Sequence, residues 1–538
     1  MSKKIHSSFV AIVTVFFFWG FLAASNGIFI PFCKTHFQLS QFESQLIDSA
    51  FYGAYFLGSL LLYIFSLQLN RDIINQIGYK KIIIYGLALS IVGGLIMIPA
   101  VGTGSFAFIL VALFIIALGF SLQQTSANPL VLNIGDQATG SHRLNFAGSI
   151  NSFGTTIGPI LISFVLFGKV IATDHDKVSA STGSIDVLYI ILAIAFALAG
   201  VILFFTKVPK LDIEEHDGAM KMLKAPVFFI MGILVVLVGL FTWFAFQVMD
   251  KSQGQFLFLL LFAAFLAVIL VILLLQYNKI KRENRIETKP YPQVLLGMIA
   301  IFVYVGVEVS VQSNFGTLLK LPEFGGHSDS DISPLVSLYW GSLMIGRWTG
   351  SIGAFSLSKP LRIILTIIVP FLALCLVLFM NNLSGADAKQ YLSYAVCVVL
   401  LVAAFFMGQQ KPALTLMLFG TLGTVAMIVG LLTTGIVSTY AFISGGLFCS
   451  IMWPCIFSLA TAGLGKYTSQ ASGFLIMMIL GGACVPPLQG FLADKWNIHS
   501  SYIIPVFCFA FLAWYAFRMR RILKASGIDF DKQVDSGH

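Results

Sequence analysis

Residues 294–319 read VLLGMIAIFVYVGVEVSVQSNFGTLL, and the only acidic side chain in this apolar run is Glu308. The run is longer than the roughly 20 apolar residues that a membrane-spanning helix needs. Tyr304, Glu308 and Gln312 follow one another at intervals of four and therefore share one helix face. A charge at mid-bilayer costs roughly 3 kcal/mol, so such a residue usually faces a wet cavity or a partner. We predict a functional carboxylate; a packing carboxyl tied to a neighbouring helix is the alternative.

The composition of the whole chain predicts an all-α integral membrane protein. Of its 538 residues, 58% are hydrophobic and 10% are charged, and the mean hydropathy is +0.92. Apolar runs long enough to span a bilayer recur from end to end, and no segment between them is long enough for a soluble core. The predicted spans, about sixteen, are 8–32, 45–68, 81–101, 105–131, 144–168, 185–206, 226–248, 253–276, 294–319, 332–356, 361–381, 390–408, 412–432, 435–463, 469–492 and 500–520.

The placement of basic residues predicts the orientation. With the N-terminus in the cytosol, the inner loops hold 24 of the 32 Lys and Arg residues, and the outer loops hold seven. Cytosolic loops carry the excess of basic residues, so both termini are expected in the cytosol. The net charge of +9 follows this distribution and does not indicate nucleic-acid binding. We expect residues 529–538 to be a disordered tail.

The two halves of the chain contain similar short motifs in the same order. Residues 51–53 (FYG) match 339–341 (YWG), an offset of 288 residues, whereas Asn128–Pro129 matches Trp453–Pro454 at an offset of 325. Gly154 likewise matches Gly481, each five residues before a proline. The change of offset indicates an inserted helix pair, which we place at about 390–432.

A second inserted pair falls between the halves, in residues 226–276. Removing both pairs leaves twelve core helices in two parallel six-helix halves, similar to the architecture of major facilitator transporters. The expected domains are 1–206, a connecting region with the first inserted pair at 207–293, and 294–528.

Amide side chains recur in the spans where lipid would disfavour them. Buried amides cost free energy unless they are hydrogen-bonded; holding helices together is their simpler role. Clustered in the central helices, they instead predict a site for an uncharged, hydroxyl-rich ligand, with aromatic rings to stack on a sugar face. The candidate ligand-binding residues are Trp19, Asn26, Tyr52, Gln123, Gln124, Asn128, Asn145, Asn151, Tyr304, Gln312, Asn314 and Trp340.

The predicted spans lack the residue patterns that enzymes and metal sites need. The seven cysteines form no C-x-x-C pair, and all eight histidines lie in predicted loops or termini. No acidic cluster is available for a membrane enzyme. We therefore expect no cofactor, no metal and no catalytic residue.

Several motifs together make the chain resemble the fucose and glucose/galactose permeases of the major facilitator superfamily. The resemblance covers both halves and skips the two helix pairs. It implies uptake of a monosaccharide across the inner (plasma) membrane, commonly with protons. The motifs are residues 18–21 with Asn26 and 30–31, 50–56, 125–129, 143–145, 151–154, 304–308, 346–347, 453–454 with 456–459, and 481–482 with Pro486.

Two departures from the family pattern bear on the coupling ion. The family carries a carboxylate after the first-span asparagine and a glutamate before the fourth-span threonine, where this chain has Gly27 and Gln124. Glu308 is our candidate replacement for binding a proton or sodium, and Asp48 is a weaker one. An uncoupled facilitator, an exporter of the same fold and a sugar sensor remain alternatives.

The remaining expectations concern the basic residues and the assembly. Apart from Lys81, Arg362, Arg518 and Arg520 at the ends of their spans, Arg347 is the only cation within a predicted span. It lies towards the cytosolic end of that span, so we assign it with Arg143 to gate or cytosolic contacts. We expect a monomer in the bilayer.

Overall fold

The computed structural model describes residues 7–36, 41–134, 139–167, 182–208, 220–248, 253–327, 329–355, 357–383, 387–408 and 411–528. Within these residues the regular structure is helical, apart from one isolated β-bridge between Met222 and Ile286. Helices satisfy their backbone hydrogen bonds internally, which apolar surroundings demand. The expected tail 529–538 lies outside the described residues.

In its described residues, the first half contains six long helices and one short one. Asp72 ends the loop after the second long helix and caps the short helix, accepting hydrogen bonds from the backbone of Ile74 (3.0 Å) and Asn75 (3.2 Å). The helices are α1 (Ser7–His36), α2 (Gln41–Gln68), α3 (Ile73–Ile77), α4 (Tyr79–Gly102), α5 (Phe106–Asn133), α6 (Gly140–Phe167) and α7 (Thr182–Phe205).

The connecting region and the second half follow. Short 3-10 turns interrupt or extend several of these helices. The helices are α8 (Lys224–Val248), α9 (Gln253–Arg282), α10 (Pro292–Ser313), α11 (Phe315–Leu319), α12 (Asp329–Ser351), α13 (Lys359–Leu383), α14 (Ala395–Gly408), α15 (Pro412–Leu432), α16 (Gly435–Cys449), α17 (Met452–Thr461), α18 (Thr468–Met477), α19 (Gly481–Lys495) and α20 (Ile503–Ala525).

The same packing pattern occurs in both halves. In the first half, α4 packs on α5 and α7, α1 packs on α6, and α2 packs on α5. In the second half, α15 packs on α16 and α20, α10 packs on α19, and α12 packs on α16. Helix α15 therefore occupies the place that α4 has in the first half.

This correspondence corrects the expected position of the second insertion. Because α15 is a core helix, the extra pair consists of α13 and α14, and not of residues 390–432. The change in repeat offset only brackets the insertion between residues 341 and 453, so it cannot distinguish the two assignments. Helix α13 packs against α12 and α14, at the edge of the second half.

The pair α8 and α9 lies outside both bundles. The two helices pack on each other and touch the rest of the chain lightly, through α10 and α2. Their outward side chains are apolar and exposed, among them Val236, Trp243 and Leu275. Such a surface fits contact with lipid.

The two glycines matched by the internal repeat, Gly154 and Gly481, each allow a close contact between two helices. A Cβ atom at Gly154 of α6 would lie 2.4 Å from the carbonyl oxygen of Phe17 in α1. A Cβ atom at Gly481, at the start of α19, would lie 1.9 Å from the carbonyl oxygen of Phe302 in α10. Only glycine permits these close helix crossings, which bring α1 to α6 and α10 to α19.

Thirteen helices of the described residues are long and apolar enough to cross a bilayer. Helices α1, α6 and α12 are not among them, although they are 30, 28 and 23 residues long. The described apolar part of α1 covers Ser8–Leu22, and α6 and α12 carry polar side chains along their length. The exact count of sixteen spans stays a prediction.

The two halves are held together at one end of the molecule, which we call the linker end because residues 220–224 and 283–291 lie there. Ser469 Oγ donates to the carboxylate of Asp72, and Ser472 Oγ donates to the carbonyl oxygen of Thr125 at 2.7 Å. The ring centroids of Tyr63 and Phe474 are 4.8 Å apart. These contacts seal the linker end between α2 and α5 on one side and α18 on the other.

Candidate functional site

A cavity of about 200 Å³ lies between the two halves, beyond the sealed linker end. Both bundles contribute to it: α1, α2, α5 and α6 from the first half, and α10, α12 and α17 from the second. Eight of the lining residues are aromatic, and seven others are polar or charged. The aromatic residues are Phe16, Trp19, Phe51, Tyr52, Tyr55, Tyr304, Trp340 and Trp453, and the other polar residues are Gln124, Asn128, Asn151, Ser152, Thr155, Glu308 and Arg347.

An ion pair lies in this cavity. Arg347 Nη2 on α12 is 3.0 Å from Glu308 Oε1 on α10, and the two side chains are 14% and 13% exposed. The hydroxyl of Tyr304 donates to the same Oε1 at 2.9 Å, one helical turn before Glu308. The hydroxyl of Tyr339 donates to the backbone carbonyl oxygen of Glu308 at 2.7 Å and so anchors that turn. The intramembrane carboxylate therefore has a cationic partner.

Arg347 also connects the second half to the first. Its Nη1 donates to Ser152 Oγ at 2.9 Å and lies 3.5 Å from Asn151 Oδ1, both on α6. Its Nε donates to the carbonyl oxygen of Ser450 at 3.3 Å, after α16. The position of Arg347 differs from the expected cytosolic contact: the guanidinium lies in the cavity. The position of Arg347 near the end of its helix did not reveal this, because the long side chain extends from the helix into the cavity.

The cavity amides differ in how many hydrogen bonds the protein already makes to them. Gln124 Nε2 donates to the hydroxyl of Tyr55 at 3.2 Å. Asn151 Nδ2 donates to the backbone carbonyl oxygen of Phe16 at 3.0 Å. Asn128 is only 1% exposed, and neither its Oδ1 nor its Nδ2 has a hydrogen-bond partner. A buried amide without partners is costly, which marks Asn128 as the amide best placed to receive a ligand.

Gln123 lies behind the cavity wall. Its Oε1 accepts a hydrogen bond from Trp19 Nε1 at 2.8 Å, and its Nε2 donates to Ser90 Oγ on α4 at 3.1 Å. Gln123 therefore orients Trp19 while α5 presents the next residue, Gln124, to the cavity. Two consecutive residues on a helix point about 100° apart, and here Gln123 points towards α1 and α4 whereas Gln124 lines the cavity.

Other predicted site residues are also placed away from the cavity wall. Asn145 is buried against α12, and its Nδ2 lies 1.9 Å from where a Cβ atom of Gly350 would be. Gln312 and Asn314 lie at the end of α10, where Asn314 is the C-cap. Arg143 binds the end of α5: its Nε donates to the carbonyl oxygen of Val131 at 3.1 Å, where the last carbonyls of a helix lack internal partners.

Two predicted residues fall outside what the structure describes. Asn26 lies in α1 and Asp48 lies in α2, but their side chains are not described. Two histidines differ from their expected loop positions: His36 is the last residue of α1, and His142 lies in the first turn of α6, with Nδ1 3.2 Å from the carbonyl oxygen of Gly350. His142 is part of the contact between the halves.

Sequence reasoning missed three residues that build the site. Ser152 accepts a hydrogen bond from the guanidinium of Arg347, and Tyr339 donates one to the backbone of Glu308. Thr155 adds a hydroxyl group to the cavity wall. Two of them stand beside residues that were singled out, Asn151 and Trp340. The signal for Tyr339 was the repeated motif itself, since it occupies the position that Phe51 has in the first half.

Parallel six-helix halves around a polar cavity define a multi-pass membrane transporter. The profile of the Major Facilitator Superfamily matches residues 9–306, more than half of the chain. The chain belongs to this superfamily, whose members are transporters and not enzymes.

Curated relatives match the chain along nearly its whole length. The "Glucose/galactose transporter" of Brucella abortus is 30% identical over 95% of this chain and 94% of the relative. The "L-fucose-proton symporter" of Escherichia coli is 24% identical over 94% of this chain and 92% of the relative. A solved structure of the E. coli fucose:proton symporter has the same fold, with a TM-score of 0.62 and 22% identity over 95% of this chain and 98% of that one.

Proposed function

We propose that the protein takes up a neutral monosaccharide of the glucose, galactose or fucose type by alternating access, coupled to a cation. The names of the relatives support the substrate class, and the chemistry of the cavity supports it independently. The single observation that carries the proposal is the cavity between the two halves, walled by aromatic rings and amides.

The cavity chemistry fits a pyranose better than an apolar or strongly charged ligand. Ring faces such as those of Trp19, Trp340 and Trp453 suit the C–H face of a sugar. Asn128 and Gln124 offer donors and acceptors to hydroxyl groups, which are themselves both donors and acceptors. A cavity for apolar drugs would not be expected to hold a buried, unpartnered amide such as Asn128, which is costly without a polar ligand.

Glu308 is the proposed binding site of the coupling proton. When it is ionised, Arg347 holds it, and Arg347 also bonds to Ser152 of the other half. Protonation would remove the negative charge that attracts the guanidinium and would weaken this link between the halves. Binding of a proton and a sugar would then favour the movement of the halves past each other, which is the coupling that symport requires.

The sealed linker end supports an outward-facing state of the proposed transporter. With the N- and C-termini in the cytosol, the linker end faces the cytosol, and the cavity is accessible from the outside. Inward opening requires the contacts of Asp72 with Ser469, and of Thr125 with Ser472, to separate. The proposed location is the cell inner (plasma) membrane.

Counterflow in proteoliposomes tests this function. Labelled glucose, galactose and fucose are each offered outside vesicles preloaded with the same unlabelled sugar, with imposed proton or sodium gradients in separate uptake assays. Exchange of at least one sugar, and accumulation driven by the proton gradient, are expected. Exchange without gradient-driven accumulation would identify a facilitator, drive by sodium alone would reassign the ion, and no exchange or binding of any monosaccharide would refute the proposal.

A further inference from the structure

We infer that Glu308 is also a selectivity residue: by neutralising Arg347 it prevents the cavity from accepting anionic sugars, such as uronic acids. The inference rests on the proposed sugar transport and adds a rule about which sugars are excluded. The sequence predicted an uncharged ligand from the amide side chains clustered in the spans. The structure instead places a full positive charge in the cavity wall, where its effect has to be cancelled.

The guanidinium of Arg347 has no hydrogen-bonding capacity left for a ligand. A guanidinium has five N–H groups, and each has an acceptor within the protein. The acceptors are the carbonyl oxygen of Ser450, Ser152 Oγ, Asn151 Oδ1, the Tyr304 hydroxyl oxygen and Glu308 Oε1. A sugar carboxylate would therefore have to displace one of these acceptors to reach the cation.

The charge of Arg347 is balanced by one group. Among the described residues lining the cavity, Glu308 and Arg347 are the only charged side chains, so the wall is neutral while Glu308 is ionised. Glu308 Oε1 is occupied by Arg347 and Tyr304, whereas Oε2 has no protein hydrogen-bond donor among the described residues. This second oxygen can accept a bond from a sugar hydroxyl, but it repels a carboxylate.

Neutralising Glu308 should therefore change the class of ligand. In Glu308→Gln the side chain keeps its shape and still accepts a bond from Arg347, but the cavity carries a net charge of about +1. A positive charge in a partly desolvated pocket attracts an anion much more strongly than it would in water. The matched control is Glu308→Gln combined with Arg347→Gln, which restores neutrality without the ion pair.

The experiment compares D-galactose with D-galacturonate, which differs by a carboxylate at C6. Binding is measured on purified protein by quenching of tryptophan fluorescence, since Trp19, Trp340 and Trp453 lie in the cavity wall, and exchange is measured by counterflow. The wild type should bind galactose and not galacturonate. Glu308→Gln should bind galacturonate at least roughly tenfold more tightly than the wild type does. The double variant should lose that gain.

The outcomes separate this inference from the proposed function. If the wild type binds no neutral sugar, the proposed function fails first. If Glu308→Gln binds galactose but not galacturonate, or if the double variant binds galacturonate equally well, the selectivity role is refuted. A melting temperature for each variant shows whether it is folded, and the neutral double variant still tests the role of Arg347 if the single variant unfolds.

Discussion

At the scale of single residues, the ion pair between Glu308 and Arg347 joins the two processes proposed for this transporter. The pair fixes the carboxylate against Tyr304 and holds Ser152 of the opposite half. Removing one partner of a buried pair leaves an uncompensated charge, which costs more than the pair itself contributes. Substitutions of Glu308 or Arg347 should therefore be tested with transport assays and stability measurements side by side.

The first prediction concerns coupling. Glu308→Gln cannot exchange a proton, so uptake against a concentration gradient should be lost while exchange of sugar by counterflow remains. The measurement is accumulation of labelled galactose in proteoliposomes with an imposed proton gradient, beside counterflow in the same preparation. Concentrative uptake that survives the substitution would remove Glu308 from the coupling step.

A second prediction concerns Asn128, whose amide has no partner within the protein. Asn128→Ala should weaken sugar binding about tenfold, the worth of one or two hydrogen bonds. It should not lower the melting temperature, because no protein hydrogen bond is lost.

The matched control for this prediction is Asn314→Ala. Asn314 Nδ2 is also buried without a partner, but the residue lies at the end of α10 and not in the cavity wall. Its truncation should leave sugar binding unchanged. Equal weakening by both substitutions would mean that Asn128 acts through the fold and not through the ligand.

The sequence could predict which residues belong to the site, but not which residues from different helices pair with each other. Polar residues inside apolar runs identified Glu308, Asn128, Asn151 and Trp340 as site candidates. The direction of each side chain was less certain, since Gln123 and Gln124 are the same residue type in the same span and only Gln124 lines the cavity. The partner of Glu308 could not be predicted, because pairing of α10 with α12 side chains depends on how the helices cross.

At the scale of helices, the repeated glycines set the distance between core elements. Gly481→Ala would place a methyl group against the carbonyl oxygen of Phe302. The helices α10 and α19 would have to separate, so we expect a clear fall in melting temperature, by several degrees, with reduced transport. Thermal unfolding of the detergent-solubilised protein measures the effect.

The control at this scale is Gly232→Ala in α8. A Cβ atom there meets nothing within 4 Å, and alanine favours a helix over glycine by roughly 0.5–1 kcal/mol. This variant should be unchanged or slightly more stable. If both substitutions behave alike, the close crossing at Gly481 does not limit stability.

The sequence predicted most helices within a few residues but misassigned one inserted pair. Hydropathy identifies each apolar segment separately, and it says nothing about which segments pack together. Helices α13, α14 and α15 are all strongly apolar, so only their neighbours distinguish an added helix from a core helix. Here the contact of α15 with α16 and α20 decided the assignment.

At the scale of the whole molecule, transport requires the linker end to open. A disulfide between Asp72→Cys and Ser469→Cys would join the two halves where these side chains now share a hydrogen bond. Oxidised protein should lose counterflow, and a reducing agent should restore it. The two single-cysteine variants are the controls, and full activity of the oxidised, cross-linked protein would show that the halves need not separate there.

The segment that connects the two halves affects the side of the membrane to which the empty carrier opens. Met220 N donates to the carbonyl oxygen of Asn70 at 3.0 Å, and Gln470 Nε2 donates to the carbonyl oxygen of Lys221 at 2.9 Å, so the segment is tied to both bundles. Each such bond stabilises the sealed arrangement by about 1 kcal/mol. An empty carrier biased in this way spends most of its time presenting its pocket to one compartment. Sugar arriving from that side should half-saturate the protein at a lower concentration than sugar leaving from the other, which zero-trans kinetics in oriented vesicles would reveal.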